Sequence, residues 1–422
     1  MKKLLSIILI FLLCIIGSEK LIDNYCNICY SNIISASAPP PTPSYTPKAV
    51  RFILRSNVTF INRGDLTWIL TDADRSIGLF MNNSWQTVSL AEYSHPVERV
   101  AADEDGNLMA ILDFYRFIEP GESVSYSVYY NILSRPRAIS YLSESESDTI
   151  YDIPEHLRQK FCTSNLPWLT WDEGIRAVAL SLAGNETNVL RIVKRFVAWI
   201  WKNIEYPGTP HEVPFYPNET LKKREGDCDD QAILLVTFCR ILGIPAYVQA
   251  GCIYLPNFWS NGTAWNGHLT NELYQVGWHG WAVVYIPPWG WLPVDLTFVV
   301  GPLDDPVNAI IYSAATLRQT IQYANISATD YVSSTREYRD FLQKYGFYLY
   351  SKDEMQLGFL GDLNGDFTVN IVDVAIAAVN YGLTPDSPLW NGLADVAEPY
   401  GVADILDIAE VAREFGLSKE SQ

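Results

Sequence analysis

The stretch KREGDCDDQAILLVTFCRILGIPA, residues 223–246, places one cysteine between acidic residues at the start of an apolar run. From Gln231 onward the apolar residues cover nearly all sides of a helix, which predicts a buried helix. Gly243 and Pro245 are typical of the residues that end a helix. Cys228 is therefore expected in or just before the first turn, where unpaired N–H groups and the helix dipole favour a thiolate.

The acidic residues around Cys228 act against that thiolate. Asp227, Asp229 and Asp230 place negative charge beside the sulfur, although acidic residues are also common at the start of a helix. A nucleophile at this position therefore needs a base of its own. The alternative is that Cys228 is a small buried residue of the core.

A candidate base and a candidate carboxylate partner lie downstream, in VGWHGWAVVYIPPWGWLPVDLTF, residues 276–298. His279 precedes a strand-like run over 281–286, a turn with proline and glycine follows, and a second short strand holds Asp295. Two antiparallel strands joined by that turn would present His279 beside Asp295. This is the arrangement in which a carboxylate fixes the tautomer of an imidazole.

These motifs, in this order, resemble the transglutaminase-like superfamily of papain-like cysteine enzymes. The matching segments are the helix start GDCDDQAILL, the helix end RILGIPAYV, and HGWAVV followed by PVDLT. His279 follows Cys228 by 51 residues, and Asp295 follows His279 by 16 residues. The resemblance covers about 188–298 and implies a papain-like α+β domain. It implies Cys228 as nucleophile, His279 as base, Asp295 as orienting residue, and no cofactor for catalysis.

The resemblance also implies a reaction class. We expect a cysteine peptidase or amidase that acts on a peptide or protein substrate through a thioester acyl enzyme. The alternatives are a transamidase that crosslinks proteins and a non-catalytic binding module that keeps the fold. His211 and His268 lie in long loops of the catalytic region and are candidates for the border of a substrate cleft.

The carboxyl-terminal region contains the stretch DLNGDFTVNIVD, residues 362–373, which matches a calcium loop of the EF-hand type. Oxygen-bearing side chains occupy positions 1, 3, 5, 9 and 12, and position 7 offers a backbone carbonyl. The predicted ligands are Asp362, Asn364, Asp366, Thr368, Asn370 and Asp373. Phe367 stands at position 6, where glycine is usual, and aspartate replaces the usual glutamate at position 12.

The calcium-loop pattern recurs 34 residues later, so that Asp373 corresponds to Asp407. Each loop is followed by a predicted helix. Paired loops of this kind resemble a type I dockerin, which implies structural Ca²⁺ and a cohesin-bearing partner protein. The second loop is less regular, because Ala397 and Pro399 replace ligands and one extra residue is present.

The sequence thus predicts a multidomain chain. An N-terminal β-sandwich is expected because apolar and polar residues alternate in short runs such as VSYSVYYNI, and it is similar to the β domain that precedes the catalytic domain in archaeal and bacterial relatives. The predicted segments are a leader (1–38), a proline-rich linker (39–47), the β-sandwich (48–140), the α+β catalytic domain (141–335), a helical linker (336–357) and an α-helical EF-hand-like dockerin (358–418).

The amino terminus predicts export. Two lysines precede an apolar run from Leu4 to Ile16, which has the length of a signal-peptide core. Ala36 and Ala38 offer a cleavage site; without cleavage the segment would tether the protein to a membrane. We therefore expect an extracellular protein, either secreted or anchored at the cell surface. Six sequons suit an exported glycoprotein: Asn57, Asn82, Asn185, Asn218, Asn261 and Asn325.

Charge and cysteine content narrow the possible partners. The net charge of −18 excludes nucleic acid as a partner and anionic lipid as a charge-driven one. Zinc is not indicated, because Cys26 and Cys29 form a pair without a matching second half. Cys239 and Cys252 are predicted either to form a disulfide or to remain two buried thiols.

Overall fold

The structure is a computed structural model, and it describes residues 48–137, 139, 141–301 and 304–419. The predicted leader (1–38), with its cysteines, and the linker (39–47) lie outside the described residues. Within the described ranges, every helix is too short or too polar to cross a membrane.

Thirteen strands are described. They are β1 (Val50–Asn62), β2 (Trp68–Ile69), β3 (Ser76–Gly78), β4 (Gln86–Tyr93), β5 (Val97–Ala102), β6 (Leu108–Leu112), β7 (Phe117–Ile118), β8 (Ser123–Ser134), β9 (Ala246–Ala264), β10 (Leu269–Ile286), β11 (Gly290–Val294), β12 (Thr320–Ile326) and β13 (Phe347–Leu357). The main sheet has the order β12-β9-β10-β13-β1-β8-β4, with β11 also paired to β10. The remaining strands form two small sheets, β2-β7 and β3-β6-β5.

Nine α-helices are described. They are α1 (Glu155–Phe161), α2 (Glu173–Ala183), α3 (Val189–Asn203), α4 (Pro217–Lys223), α5 (Cys228–Ile241), α6 (Asn308–Ile311), α7 (Tyr331–Tyr345), α8 (Ile371–Asn380) and α9 (Ile405–Arg413). Residues 228–240 of α5 are all buried, against β9, β10 and the neighbouring helices. The buried helix predicted from the opening stretch is confirmed, and it ends before Gly243, which has a positive φ of 71°.

The N-terminal strands differ from the predicted β-sandwich. β1, β4 and β8 belong to the same sheet as β9 and β10, because β13 lies between the two groups. β13 pairs antiparallel with β1 from Phe347 to Leu357 and parallel with β10 from Leu349 to Glu354. The predicted helical linker (336–357) therefore contains the end of α7 and the whole of β13. The alternation of apolar and polar residues identified strands correctly, but this pattern does not determine which strands pair with each other.

The two outer strands of the main sheet approach each other, so the sheet is curled. The side chain of Gln86, the first residue of β4, donates to the carbonyl of Gln322 and accepts from its N–H, at 2.7 and 2.8 Å. Asn107 makes the same pair of bonds, each 2.8 Å, with the backbone of Asn325. Side-chain amides thus occupy the outer edge of β12, where a neighbouring strand would otherwise pair.

The C-terminal helices α8 and α9 pack against the N-terminal strands through two buried arginines. Arg51 of β1 donates to the side chain of Asn131 at 2.7 Å and to the carbonyls of Leu360 and Leu393 at 3.1 and 2.9 Å. Arg135 follows β8 and donates to the carbonyl of Gly392. The sheet therefore holds both the segment that connects β13 with α8, at Leu360, and the segment between α8 and α9, at Gly392 and Leu393.

Candidate active site

The start of α5 positions Cys228. The N–H of Asp227 donates to Asp230 Oδ2 at 3.2 Å, one half of the bond pair that caps a helix start. Gly226 lies just before, where a Cβ would come within 2.9 Å of Asp230 and Thr220. Only glycine fits this approach, so the turn brings Cys228 to the first helical position. The side chain is buried, with 6% of its surface exposed.

The β10–β11 hairpin brings His279 and Asp295 together, as the sequence indicated. The strands pair from Ala282 with Val294 to Ile286 with Gly290. Asp295 is the first residue after β11, and its Oδ2 lies 2.8 Å from His279 Nε2. Its Oδ1 accepts the N–H groups of residues 297 and 298, at 3.0 and 2.9 Å. The fully buried carboxylate is thus fixed by the turn while it holds the imidazole.

The imidazole of His279 connects Asp295 with Cys228. Burial alone would lower the pKa of His279, but the negative charge of Asp295, its hydrogen bond and a hydrogen bond with Cys228 raise the pKa to about 10. Because Nε2 is engaged by Asp295, Nδ1 is the nitrogen available to the sulfur. The structure therefore brings Cys228, His279 and Asp295 together, with the imidazole between the thiol and the carboxylate. This arrangement can transfer the thiol proton to the ring.

The acidic residues beside Cys228 are buried. Oxygens of Asp227 and Asp229 and the sulfur of Cys228 all lie within 4.8 Å of one another. Burial raises the pKa of Asp227 to about 7, and the charge of Asp230 adds to the rise. Burial and the charge of Asp227 raise the pKa of Asp229 further, while Tyr331 donates to its Oδ2 at 2.9 Å.

His211 lies against the same acidic group, a contact that the sequence did not predict. Its Nδ1 is 2.8 Å from Asp230 Oδ2, and its Nε2 is 3.0 Å from Glu225 Oε1. The backbone N–H of His211 donates to Asp227 Oδ2 at 3.2 Å. Burial would lower the pKa of His211, but the bonds with Asp230 and Glu225 raise it to about 9. The only sequence signals were a histidine in a long loop and an acidic helix start.

His268, the other candidate for the cleft border, and the cysteines considered for a disulfide have surroundings that fit structural roles. His268 Nδ1 lies 2.7 Å from the carbonyl of Phe347, and the ring stacks on Tyr348 at 4.2 Å. None of the four cysteines in the described part of the chain, Cys239 and Cys252 among them, forms a disulfide. The alternative of two buried thiols therefore describes that pair.

Two groups of side chains near the active site have the composition of a metal site. They are His211 with Asp227 and Asp230, and Cys228 with Asp227 and Asp229, each with ligand atoms within 4.8 Å. In the first group both ring nitrogens of His211 already face carboxylate oxygens at hydrogen-bond distance. The second group contains the candidate nucleophile. We therefore describe both as parts of one hydrogen-bonded network.

The first C-terminal loop fits a calcium ion. Asp362 accepts the N–H groups of Gly365, Asp366 and Phe367, and Asp373 accepts those of residues 363, 364 and 370. The loop is thus wrapped around oxygen donors, the ligands that Ca²⁺ prefers. Phe367 adopts a φ of 64°, the left-handed conformation that glycine usually supplies at position 6.

The second C-terminal loop does not fit a calcium ion equally well. Arg135 Nε lies 3.2 Å from Asp395 Oδ2, and both side chains are only 4% exposed. Asp395 is the first acidic residue of that loop, where a calcium loop has its first ligand. A guanidinium group therefore supplies the positive charge at this position.

Comparisons with known proteins give a family match for the region around the site. The sequence model of the transglutaminase-like superfamily matches residues 176–296. No curated protein matches the chain. Among solved structures, a candidate cysteine protease from Cytophaga hutchinsonii is 17% identical, with a TM-score of 0.43, over 74% of this chain and 91% of that chain.

Two further solved structures match with lower TM-scores. The periplasmic domain of TgpA from Pseudomonas aeruginosa bound to ethylmercury is 14% identical, with a TM-score of 0.29, over 65% of this chain and 94% of that chain. Red sea bream transglutaminase is 11% identical, with a TM-score of 0.26, over 63% of this chain and 48% of that chain. Residues 176–296, which include Cys228, His279 and Asp295, therefore match the transglutaminase-like superfamily.

Proposed function

We propose that the chain is a cysteine enzyme that hydrolyses peptide bonds or side-chain amides through a thioester acyl enzyme. The observation that carries this proposal is the buried sequence of contacts from Cys228 through His279 to Asp295, with 2.8 Å between the last two. The superfamily match over residues 176–296 supports the same assignment. A buried imidazole held by a carboxylate and bonded to a thiol is the arrangement that activates sulfur as a nucleophile.

The proposed reaction has two halves. His279 takes the proton of Cys228, and the sulfur attacks the carbonyl carbon of an amide. The C–N bond breaks, and His279 returns its proton to the leaving amine. The backbone N–H of Cys228 at the start of α5 is the proposed donor to the oxyanion. Water then attacks the thioester, releasing the acid and restoring the thiol.

The experiment that tests this function uses the chain without its predicted leader (1–38) and the Cys228→Ala variant of the same chain. Casein is incubated with each protein, with and without a fluorescent primary amine. Release of new amino groups that requires Cys228 supports hydrolysis. Incorporation of the fluorescent amine would instead support transamidation. If neither new amino groups nor incorporated amine are detected, and Cys228 is alkylated slowly, the result would favour a non-catalytic binding module.

We further propose that the C-terminal helical pair is a dockerin with one calcium ion. Asp362, Asn364, Asp366, Asn370 and Asp373 would hold the ion with the carbonyl of Thr368. The second loop would be held by Arg135 through Asp395. Calcium would stabilise the first loop and take no part in catalysis.

Calorimetric titration of the chelator-treated protein with Ca²⁺ tests this stoichiometry. We expect one site, which the Asp362→Ala variant loses. Two sites of similar affinity would contradict the role of Arg135, and no binding by the unsubstituted chain would contradict the calcium loop.

A cohesin-bearing protein is the proposed partner of the helical pair. Equivalent residues at the start of α8 and α9 expose apolar side chains: Ile371 and Ile405 are 67% and 62% exposed, and Val372 and Leu406 are 48% and 49% exposed. Exposed apolar groups of this kind mark contact surfaces. The double variant Ile371→Asp/Ile405→Asp is expected to lose binding to an immobilised cohesin domain. Retained binding would contradict this surface.

Extracellular location is proposed from the predicted leader. Four of the six sequon asparagines have exposed side chains, as glycosylation requires: Asn82, Asn185, Asn218 and Asn261. Cell fractionation of the full chain tests both secretion and a membrane tether. Recovery of the protein in the cytosol would contradict this location.

A further inference from the structure

We propose that His211 is a positioning residue of the active site, which keeps Cys228 reactive by balancing the negative charge at the start of α5. This inference rests on the proposed function, because it concerns the reactivity of the same nucleophile. Three aspartates next to Cys228 oppose the thiolate that catalysis needs. The structure contains a group that faces those aspartates from another segment.

The geometry connects His211 with the sulfur through a single carboxylate. An oxygen of Asp227 lies within 4.8 Å of the sulfur of Cys228, and an oxygen of Asp227 lies within 4.8 Å of a ring nitrogen of His211. Asp230, which lies on the same turn, is 2.8 Å from His211 Nδ1. The imidazole is therefore close enough to pair with the carboxylates without contacting the sulfur itself.

The position of His211 is fixed by its neighbours. Its ring stacks on Phe215 with 3.9 Å between the centroids, and the N–H of Phe215 donates to Asp230 Oδ1 at 2.6 Å. Glu225 holds the second nitrogen at 3.0 Å. The imidazole has 14% of its side chain exposed and Asp230 has none, so solvent screens their interaction weakly.

Charged groups from several segments face His211 and Phe215. Asp227 and Asp230 face His211 from α5, and Glu225 faces it from the preceding segment. Lys223 Nζ lies over the ring of Phe215, 5.0 Å from its centroid.

Near the sulfur, Asp229 accepts a hydrogen bond from the hydroxyl of Tyr331, and His279 is hydrogen-bonded to Cys228. Burial raises the pKa of Asp229 well above its ordinary value, which disfavours the charged form of this carboxyl. Asp227 and Asp230 are the α5 carboxyl groups that His211 contacts, and a protonated His211 offsets their negative charge. Its raised pKa, about 9, keeps it protonated at the pH where the thiolate must form.

The test measures how fast iodoacetamide modifies Cys228 between pH 5 and pH 10, with the modified peptide identified by mass spectrometry. The proteins are the unsubstituted chain, His211→Gln, Asp230→Asn, the double variant of both, His279→Ala, and His156→Gln as a matched control from the exposed helix α1. Circular dichroism and thermal unfolding verify that each variant is folded.

We expect the midpoint of alkylation in His211→Gln to rise by about one pH unit, which slows the reaction about tenfold below the midpoint. The double variant should return toward the original midpoint, because the charge that needed balancing is gone. Asp230→Asn alone should lower the midpoint, which provides a second readout if His211→Gln folds poorly. A purely structural role of His211 would leave the double variant as slow as the single one.

The outcomes separate the inference from the proposed function. A profile that depends on His279 but is the same with and without His211 would overturn the inference alone. A double variant no faster than His211→Gln would also overturn it. An unsubstituted chain that reacts no faster than His279→Ala would overturn the proposed function and the inference with it. The His156→Gln profile should match that of the unsubstituted chain.

Discussion

The Asp295→Asn substitution removes one charge from the active site and changes little else. Asparagine keeps the Oδ1 that accepts the N–H groups of residues 297 and 298, so the turn after β11 is retained. Its Nδ2 replaces the carboxylate oxygen that lies 2.8 Å from His279 Nε2. This amide nitrogen donates to Nε2, which leaves the proton of the neutral ring on Nδ1. The ring can then no longer accept the proton of Cys228.

The magnitude follows from charge and distance. Opposite unit charges 2.8 Å apart attract by about 6 kcal/mol at an effective dielectric constant of about 20. Burial of the imidazolium offsets part of this attraction, as the opposing effects on the pKa of His279 show. Without Asp295, Cys228 becomes an ordinary thiol, of which about 1% is thiolate at pH 6.5. We therefore expect its alkylation at pH 6.5 to slow about a hundredfold.

The assay is the rate of iodoacetamide modification of Cys228 at pH 6.5. Cys162 serves as an internal reference, because burial raises the pKa of its thiol to about 11. Equal rates for Cys228 in Asp295→Asn and the unsubstituted chain, with both proteins folded, would refute the reasoning.

Thermal unfolding gives a second readout of the same pair. The pKa of His279 is raised from 6.5 to about 10, so the stabilisation it brings is fully present below about pH 6.5 and lost as the pH rises through about 10. The difference in Tm between the two proteins should therefore narrow over that window. A difference that stays constant would contradict the charge pair.

Three further substitutions test buried contacts of the main sheet. Gly251→Ala should lower the free energy of unfolding by about 1–3 kcal/mol, because a Cβ would lie 2.4 Å from the carbonyl oxygen of Ile321 and 2.6 Å from the ring of Trp281; an unchanged urea midpoint would contradict this contact. Asp353→Asn should raise the Tm at pH 8 but not at pH 4, because burial raises the pKa of Asp353 to about 6 and its ionisation above that pH costs stability; equal effects at both pH values would contradict the shift. Arg51→Met should destabilise the protein by about 2–4 kcal/mol and speed proteolytic release of the C-terminal helices, since it leaves buried acceptors unpaired; unchanged proteolysis would show that other contacts hold them.

The His279–Asp295 pair could be predicted from the sequence because it is local, whereas its meeting with Cys228, 51 residues earlier, was expected from the resemblance to the superfamily. A helix start fixes the position of Cys228, and a single hairpin carries both His279 and Asp295. Neighbours along a chain that form a helix or a hairpin are close in space whatever the rest of the fold does. The bases for the prediction were therefore the helix pattern, the turn signals and the order of the motifs.

The surroundings of the site could not be predicted in the same way, because they depend on pairing between distant segments. His211 meets Asp230 through a loop whose path follows no repeating pattern. The same limit applies to β13, since alternating residues describe a strand in a sandwich and in a curled sheet equally well. Arg51 and Arg135 illustrate it again: arginines in β-rich segments are usually solvent-exposed, and nothing in the local sequence indicates that these two are buried against the C-terminal helices.

The amide side chains along β12 have a consequence for how the molecule avoids its own polymerisation. An uncovered strand edge offers N–H and C=O groups to any extended chain, including the matching edge of another copy. Gln86 and Asn107 occupy those groups at Gln322 and Asn325 without adding a strand. Replacing both with alanine would open this edge of the main sheet to strand exchange between molecules. Two side chains thus leave these backbone groups of the edge without a free site for another chain.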